Sequence, residues 1–194
     1  MVQKRSANPP RTADVFDELL VLLAQTGDRQ AFARLHQRWH PRLIRAAARY
    51  TADPDSASDL AQDCWLGIWK GLAGLREPSR FRSYAFGVLH RRGADHLRKA
   101  IRTRSHEALV PIPEIASDTG QTPAHDDRES ITQAFAQLPP DQRLAAHLHF
   151  VEGFTLAEIA KVQSIPLGTA KSRLFHARRT LKAALTEQPE GEHP

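Results

Sequence analysis

Apolar residues in this chain recur at helical rather than strand spacing, and they fall into eight short blocks. Phe16, Leu19, Leu20 and Leu23 form an i, i+3, i+4, i+7 stripe, predicting a first helix over about 14–26. Gly27 ends it, and Asp28 is placed to cap the next helix. Phe32, Leu35, Trp39, Leu43 and Ala46 mark that second helix, with Pro41 inside it as a candidate kink. Asp53-Pro54 is an N-cap followed by proline at the first helical position, opening a third helix with Leu60, Cys64, Ile68 and Leu72 on one side. Gly74 and Pro78 interrupt the pattern. A fourth helix starts near Ser79 and carries Tyr84, Val88 and Leu97 toward Arg104.

Periodicity then stops. Pro111, Pro113, Gly120 and Pro123 punctuate a polar stretch that is long for a loop inside one domain, so it is expected to link two. Beyond it, Ile131, Phe135 and Leu138 give a short helix. Leu144, Leu148 and Val151 give another, ended by Gly153. Thr155 to Glu158 spells a capping box before Leu156, Ile159 and Ala160. Pro166 and Gly168-Thr169 open a last helix holding Leu174, Ala177 and Leu181. The expectation is an all-α chain of two small helical domains joined by a flexible acidic linker. Its divisions are a disordered extension over 1–13, a domain over 14–104, the linker over 105–126, a domain over 127–186 and a tail over 187–194.

Composition agrees with helices. Hydrophobic residues make up 41% and aromatics only 7% of the 194 residues. No window nears the length of an apolar membrane span, and the N-terminus has no signal-peptide core, which predicts a cytoplasmic protein without membrane insertion. The one cysteine, Cys64, excludes an internal disulfide and a thiolate metal pair. The formal net charge is +5. Its distribution says more than its size. Nine cations over 76–104 face only Glu77 and Asp95, and 165–182 holds five cations and no acid. Between these blocks, 105–130 carries six acids against Arg128 alone. Two basic blocks around an acidic one point to a polyanionic partner.

The two helices predicted over Thr155–Val162 and Leu167–Lys182 have the size and separation of a helix-turn-helix, with Ala160, Ile165 and Leu174 where they must pack. The second presents Thr169, Lys171, Ser172 and Arg173, groups that bond phosphates and base edges in a major groove. His176, Arg178 and Arg179 follow as phosphate contacts. A three-helix bundle with a solvated basic face would produce the same pattern.

The stretch from Leu138-Pro-Pro through Glu152-Gly-Phe-Thr-Leu-Ala-Glu-Ile-Ala to Gly168-Thr-Ala-Lys-Ser-Arg-Leu resembles the promoter-reading domain of extracytoplasmic-function (ECF) sigma factors. Gly27-Asp28, Pro41-Arg42-Leu43, Asp59-Leu-Ala-Gln-Asp63 and Trp69 resemble the N-terminal domain of the same family. Phe81-Arg-Ser-Tyr-Ala-Phe and Asp95-His-Leu-Arg98 extend that match. The resemblance implies a subunit without catalysis or cofactor that guides core RNA polymerase to promoters. Its partners would be the β′ clamp helices and β flap of the polymerase, promoter DNA and an anti-sigma factor. Asp59, Gln62, Asp63 and Trp69 would dock on the clamp. Arg80, Phe81, Arg82, Tyr84, Arg91, Arg92, Arg98 and Lys99 would hold the melted minus-ten strand. Thr169, Lys171, Ser172, Arg173, His176, Arg178 and Arg179 would read the minus-thirty-five element. The chain departs from the family at Tyr84, where tryptophan is usual, and at His90-Arg91, where Arg-Asn is usual.

Two other classes stay open at this level. A DNA-binding regulator could use the same helix-turn-helix without joining polymerase. A metal hydrolase would need ligands at binding spacing, but among ten histidines only His36 and His40 share a helical face, and no His-Glu-x-x-His occurs.

Overall fold

The computed structural model describes residues 12–51, 53–106 and 123–186. Among these residues there are helices and turns and no strand. The expected linker is entered by helix from both sides. What remains of it, residues 107–122, lies outside the described residues, as do 1–11 and 187–194.

Helix α1 spans Thr12–Gln25, α2 Arg29–Ala47, α3 Pro54–Leu72 and α4 Phe81–His106. The local signals act as their chemistry requires. Gly27 takes φ +96 after α1, where a side chain would be strained. The Asp28 carboxylate accepts from the amides of Gln30 and Ala31 at 2.8 and 3.0 Å. Asp53 accepts from Ser56 N at 2.8 Å and caps α3, with Pro54 in its first turn. Helix α2 runs unbroken through Pro41. Leu60, Cys64, Ile68 and Leu72 are all buried, with Cys64 a small core hydrophobe whose thiol burial pushes up to about 12.

The first helix corrects the expected stripe. Its core face is Leu20, Val21 and Ala24 with Asp17, while Phe16, Leu19 and Leu23 are exposed. Asp17 is tolerated there because Arg38 Nε donates to it at 2.7 Å.

The second unit comprises α5 (Pro123–Ala136), α6 (Pro140–Ala146), a π-helical turn (His147–Val151), α7 (Leu156–Gln163) and α8 (Leu167–Thr186). Ala134, Phe135, Leu138, Ala146, Ala177 and Leu181 form a small core between α5, α6 and α8. Ile131 and Val151, expected inside, are about half exposed. The π turn shifts the register after Ala146. It buries His147 and Leu148 and leaves Val151 outside.

A larger core runs through both units. Helix α7 lies against α4, and the Phe154 ring meets Phe86 edge-on at 5.4 Å. Both rings are fully buried, and each such burial is worth about 1.5–3 kcal/mol. At the centre of the contact stands Glu152, its side chain only 3% exposed. Its carboxylate accepts from Arg42 Nε at 3.0 Å and pairs with Arg42 Nη2 at 2.5 Å. Its backbone carbonyl accepts from Arg82, whose guanidinium also covers the Phe154 ring at 3.9 Å. His147 Nε2 lies 3.8 Å from the same carboxylate, too far for a hydrogen bond. Burial, then Arg49, Arg45 and Arg42, push that imidazole down to about 3, so it is neutral and forms no ion pair.

Candidate nucleic-acid interface

The helix-turn-helix is built from short-range chemistry. Thr155 Oγ1 accepts from Glu158 N at 3.3 Å, and Glu158 returns a carboxylate to Thr155 N at 2.8 Å, closing the capping box. Ser164, at φ 53, ends α7 in the left-handed region and turns the chain into α8. Ala170, Ala177 and Leu181 seat α8, and Leu174 and Ile165 are half-buried beside them.

The opposite face of α8 is free. Lys171, Ser172, Arg178 and Arg179 are exposed along one stripe, with His176 at its edge and Thr169 half-buried near the start. In its middle lies Phe175, 63% exposed, which sequence reasoning passed over. The signal was available: Phe175 is four residues beyond Lys171 and four before Arg179, so it belongs to the polar face by helical spacing. Arg173 is not on that stripe. Its Nη2 donates to Asp141 at 2.6 Å and its Nη1 to Gln163 at 3.0 Å, fastening α8 to α6 and α7. Arg173, expected at the base edges, is therefore held by Asp141 and Gln163 in this conformation.

The basic stripe of α4 differs. Arg91, Arg92, Arg98 and Lys99 are exposed. Arg98 pairs with Asp95 at 2.5 Å and Arg80 with Glu77 at 2.7 Å, both solvent-facing pairs of small energy. Phe81 is buried against Trp39, ring centroids 5.1 Å apart, so it offers no stacking face here, contrary to expectation. Arg82 is committed to Glu152 and Phe154. The half-buried Tyr84 hydroxyl donates toward the Gly67 and Ile68 carbonyls at 3.4 Å, and burial raises its pKa. Gly71 leaves room for it, since a Cβ there would lie 2.2 Å from that oxygen. His90 sits where Tyr50 can reach it, the hydroxyl 2.8 Å from Nδ1, and burial lowers its pKa.

On α3, Asp59, Gln62 and Asp63 are exposed along one face that continues into Leu66, 58% exposed, and Trp69, 47% exposed. The Trp69 ring rests on Phe32, centroids 4.5 Å apart. Leu66 is the second residue the sequence reading missed, three beyond Asp63 on the same stripe. The acidic end of this face meets α4 across a groove of about 460 Å³ lined by Asp59, Asp63, Arg92, Arg98 and Lys99 among others. His36 and His40 stack at 4.7 Å, and no group of three metal-ligating side chains occurs among the described residues. No described helix is long and apolar enough to cross a membrane.

Comparison with known proteins fits this arrangement. Residues 35–103 match sigma-70 region 2, and residues 128–181 match sigma-70 region 4. Over 180 residues the chain is 27% identical to the RNA polymerase sigma-H factor of Pseudomonas aeruginosa, covering 87% of this chain and 93% of that one. It is 26% identical over 176 residues to the ECF RNA polymerase sigma-E factor of Escherichia coli, covering 85% and 92%. The sigma factor RpoE of Bartonella quintana, solved with the anti-sigma factor NepR, superposes with a TM-score of 0.71 at 26% identity, over 81% of this chain and 98% of that one. CnrH, solved with the cytosolic domain of CnrY, shares the fold at a TM-score of 0.63 and 22% identity, over 88% and 97%. With two sigma-70 regions matched in order across well over half of its length, the chain belongs to the extracytoplasmic-function sigma factors.

Proposed function

We propose that this non-enzymatic initiation factor binds core RNA polymerase in the cytoplasm and directs it to promoters, with α8 on the minus-thirty-five element and α4 on the minus-ten strand. The observation that carries this reading is the exposed α8 stripe of Lys171, Ser172, Phe175, Arg178 and Arg179 on a chain that also exposes the acidic and apolar face of α3. Lysine and serine suit base edges, phenylalanine suits a thymine methyl, and the arginines suit phosphates. Residues 127–186 would thus be the minus-thirty-five unit and 14–104 the polymerase and minus-ten unit. Asp59, Gln62 and Asp63 give a carboxylate and amide face to a basic partner helix, and Leu66 and Trp69 give it an apolar anchor. An anti-sigma partner follows from the neighbour RpoE, solved with the anti-sigma factor NepR.

The two elements would lie about 25 base pairs apart, roughly 85 Å of duplex. Helices α4 and α7 are in contact, so the units must separate to engage both. Reconstitution with core polymerase tests the function: promoter-dependent transcripts appear only when the chain is added. Pull-down with core enzyme separates this reading from a regulator that binds DNA alone, which would leave the polymerase behind.

A further inference from the structure

Helix α1 presents an apolar face that no other element covers among the described residues. Val15, Phe16, Leu19, Leu22 and Leu23 are each 40–51% exposed. At about 100° per residue they fall within one arc of about 120°, pointing away from the core side of Val21 and Ala24. Together they make a contiguous apolar patch on the order of a few hundred Å², the upper end of what a monomer leaves in water, and such patches mark interaction surfaces.

The two edges of the patch carry opposite charge. Asp14 and Glu18 border the side of Val15 and Leu22, where they line a small cavity with Pro78 and Ser79. On the other side Arg38 of α2 lies over the Phe16 ring at 5.1 Å while it holds Asp17 at 2.7 Å. Arg34, exposed, stands one turn earlier on the same stripe of α2. Neighbouring stretches of the same chain fit this face poorly. Residues 1–11 hold only Met1 and Val2 as large apolar side chains. Residues 107–122 follow the far end of α4, a helix of 26 residues and about 39 Å that begins beside α1 at Phe81. Reaching back to α1 would use most of the roughly 55 Å that such a stretch can span, and it must also join α5.

We propose that this face is the contact between two copies of the chain, a two-fold dimer in which the two α1 helices lie side by side and parallel. A two-fold axis along the helices sets the acidic edge of each copy against the basic edge of the other, whereas an antiparallel pairing sets like edge against like. Phe16, Leu19 and Leu23 then form the central seam at a, d and a spacing, with Val15 and Leu22 flanking it. Two such patches bury less than the roughly 1,600 Å² of a standard interface, so the association is weak, in the micromolar range. The paired fraction therefore rises with the amount of free chain, by mass action. The inference goes beyond promoter reading, since α1 holds none of the residues given to polymerase or DNA.

Sedimentation velocity on the full chain alone, from about 1 to 100 µM, is the test. The weight-average mass rises from one chain toward two. Leu19→Glu, and separately Leu22→Glu, places a carboxylate in the seam and weakens dimerisation by about tenfold or more. Both side chains are half exposed in a single copy, so the fold survives, and far-ultraviolet circular dichroism verifies it. Glu18→Arg and Arg34→Glu each weaken the dimer several-fold, and the double variant, which exchanges the edges, recovers it. A face made for a different protein leaves the chain monomeric at every concentration, which overturns the proposal. A dimer unchanged in both leucine variants overturns it, as does a double variant no stronger than the single ones.

Discussion

Two basic helices in this molecule, α4 and α8, carry similar charge and meet very different surroundings. On α8 the cations and Phe175 point into solvent. On α4 the first turn is covered, with Phe81 in the core and Arg82 bound to the other unit. Arg173, within the α8 block, is likewise absorbed by Asp141 and Gln163. Clustered charge therefore marks where polyanion chemistry is concentrated. Which cations are available is decided by tertiary packing, and a desolvated arginine with a fixed partner is not available without work.

The largest expected effect comes from breaking the contact that covers α4. Arg42→Ala strands a buried carboxylate and should destabilise the packed chain by about 3 kcal/mol, read by urea unfolding. Glu152→Gln, which keeps a hydrogen-bond acceptor, should cost much less. In Arg42→Ala the weakened seam makes Arg82 more accessible, so single-stranded DNA binding should rise, whereas Glu152→Gln keeps the backbone carbonyl that holds Arg82. Unchanged DNA binding in a variant whose units have separated would show that Arg82 is not part of that surface.

Acid probes the same junction. His147, its pKa pushed down to about 3, stays neutral in the folded chain above that pH and faces Arg42, Arg45, Arg49 and Glu152, whereas unfolding restores an ordinary imidazole. The unfolded chain thus takes up the extra proton. Stability from this group is complete above about pH 6.5 and is lost as pH falls toward 3, by at most about 1.4 kcal/mol per pH unit. Burial lowers His90 and His36 in the same direction. Thermal unfolding of His147→Gln should show a flatter decline between those limits than the parent, which isolates this residue's share.

On α8 the comparison sharpens to two neighbours. Phe175→Ala should leave stability unchanged and cost about 1 kcal/mol in specific duplex binding. Arg173→Ala should lower the melting temperature and leave the duplex contacts of the folded fraction intact. The reverse outcome would return Arg173 to the base edges. The smallest effect is electrostatic: Arg179→Ala should reduce the salt dependence of DNA affinity by about one phosphate's worth, a slope change near 0.9.

Much of the fold was legible because its signals are local. The Leu60, Cys64, Ile68, Leu72 stripe and the Thr155–Glu158 capping box each lie within a few turns of chain, and both appear as read. Helix α1 was misread because it is apolar on nearly every side. Leu20, Val21 and Ala24 made the core, and the longer side chains of Phe16, Leu19 and Leu23 did not. The π turn at His147 escaped because one inserted residue shifts a helical register without leaving glycine or proline behind. The cover on Arg82 escaped for a different reason. Arg42 and Glu152 are 110 residues apart, and no periodicity spans that distance.

Glu152 has a consequence for how this protein can be recombined. One carboxylate ties Arg42 to the second unit, and its backbone carbonyl ties Arg82. The two halves are therefore not freely interchangeable modules. A chimera joining this N-terminal half to a C-terminal half without an acid at that position would leave Arg42 facing an apolar seam, with Arg82 still held by the backbone carbonyl. Each half could still fold, yet the seam would hold water instead of a contact. A substitution at position 42 or 152 should therefore be tolerated best with a matching change at the other, a dependence that reaches across both domains.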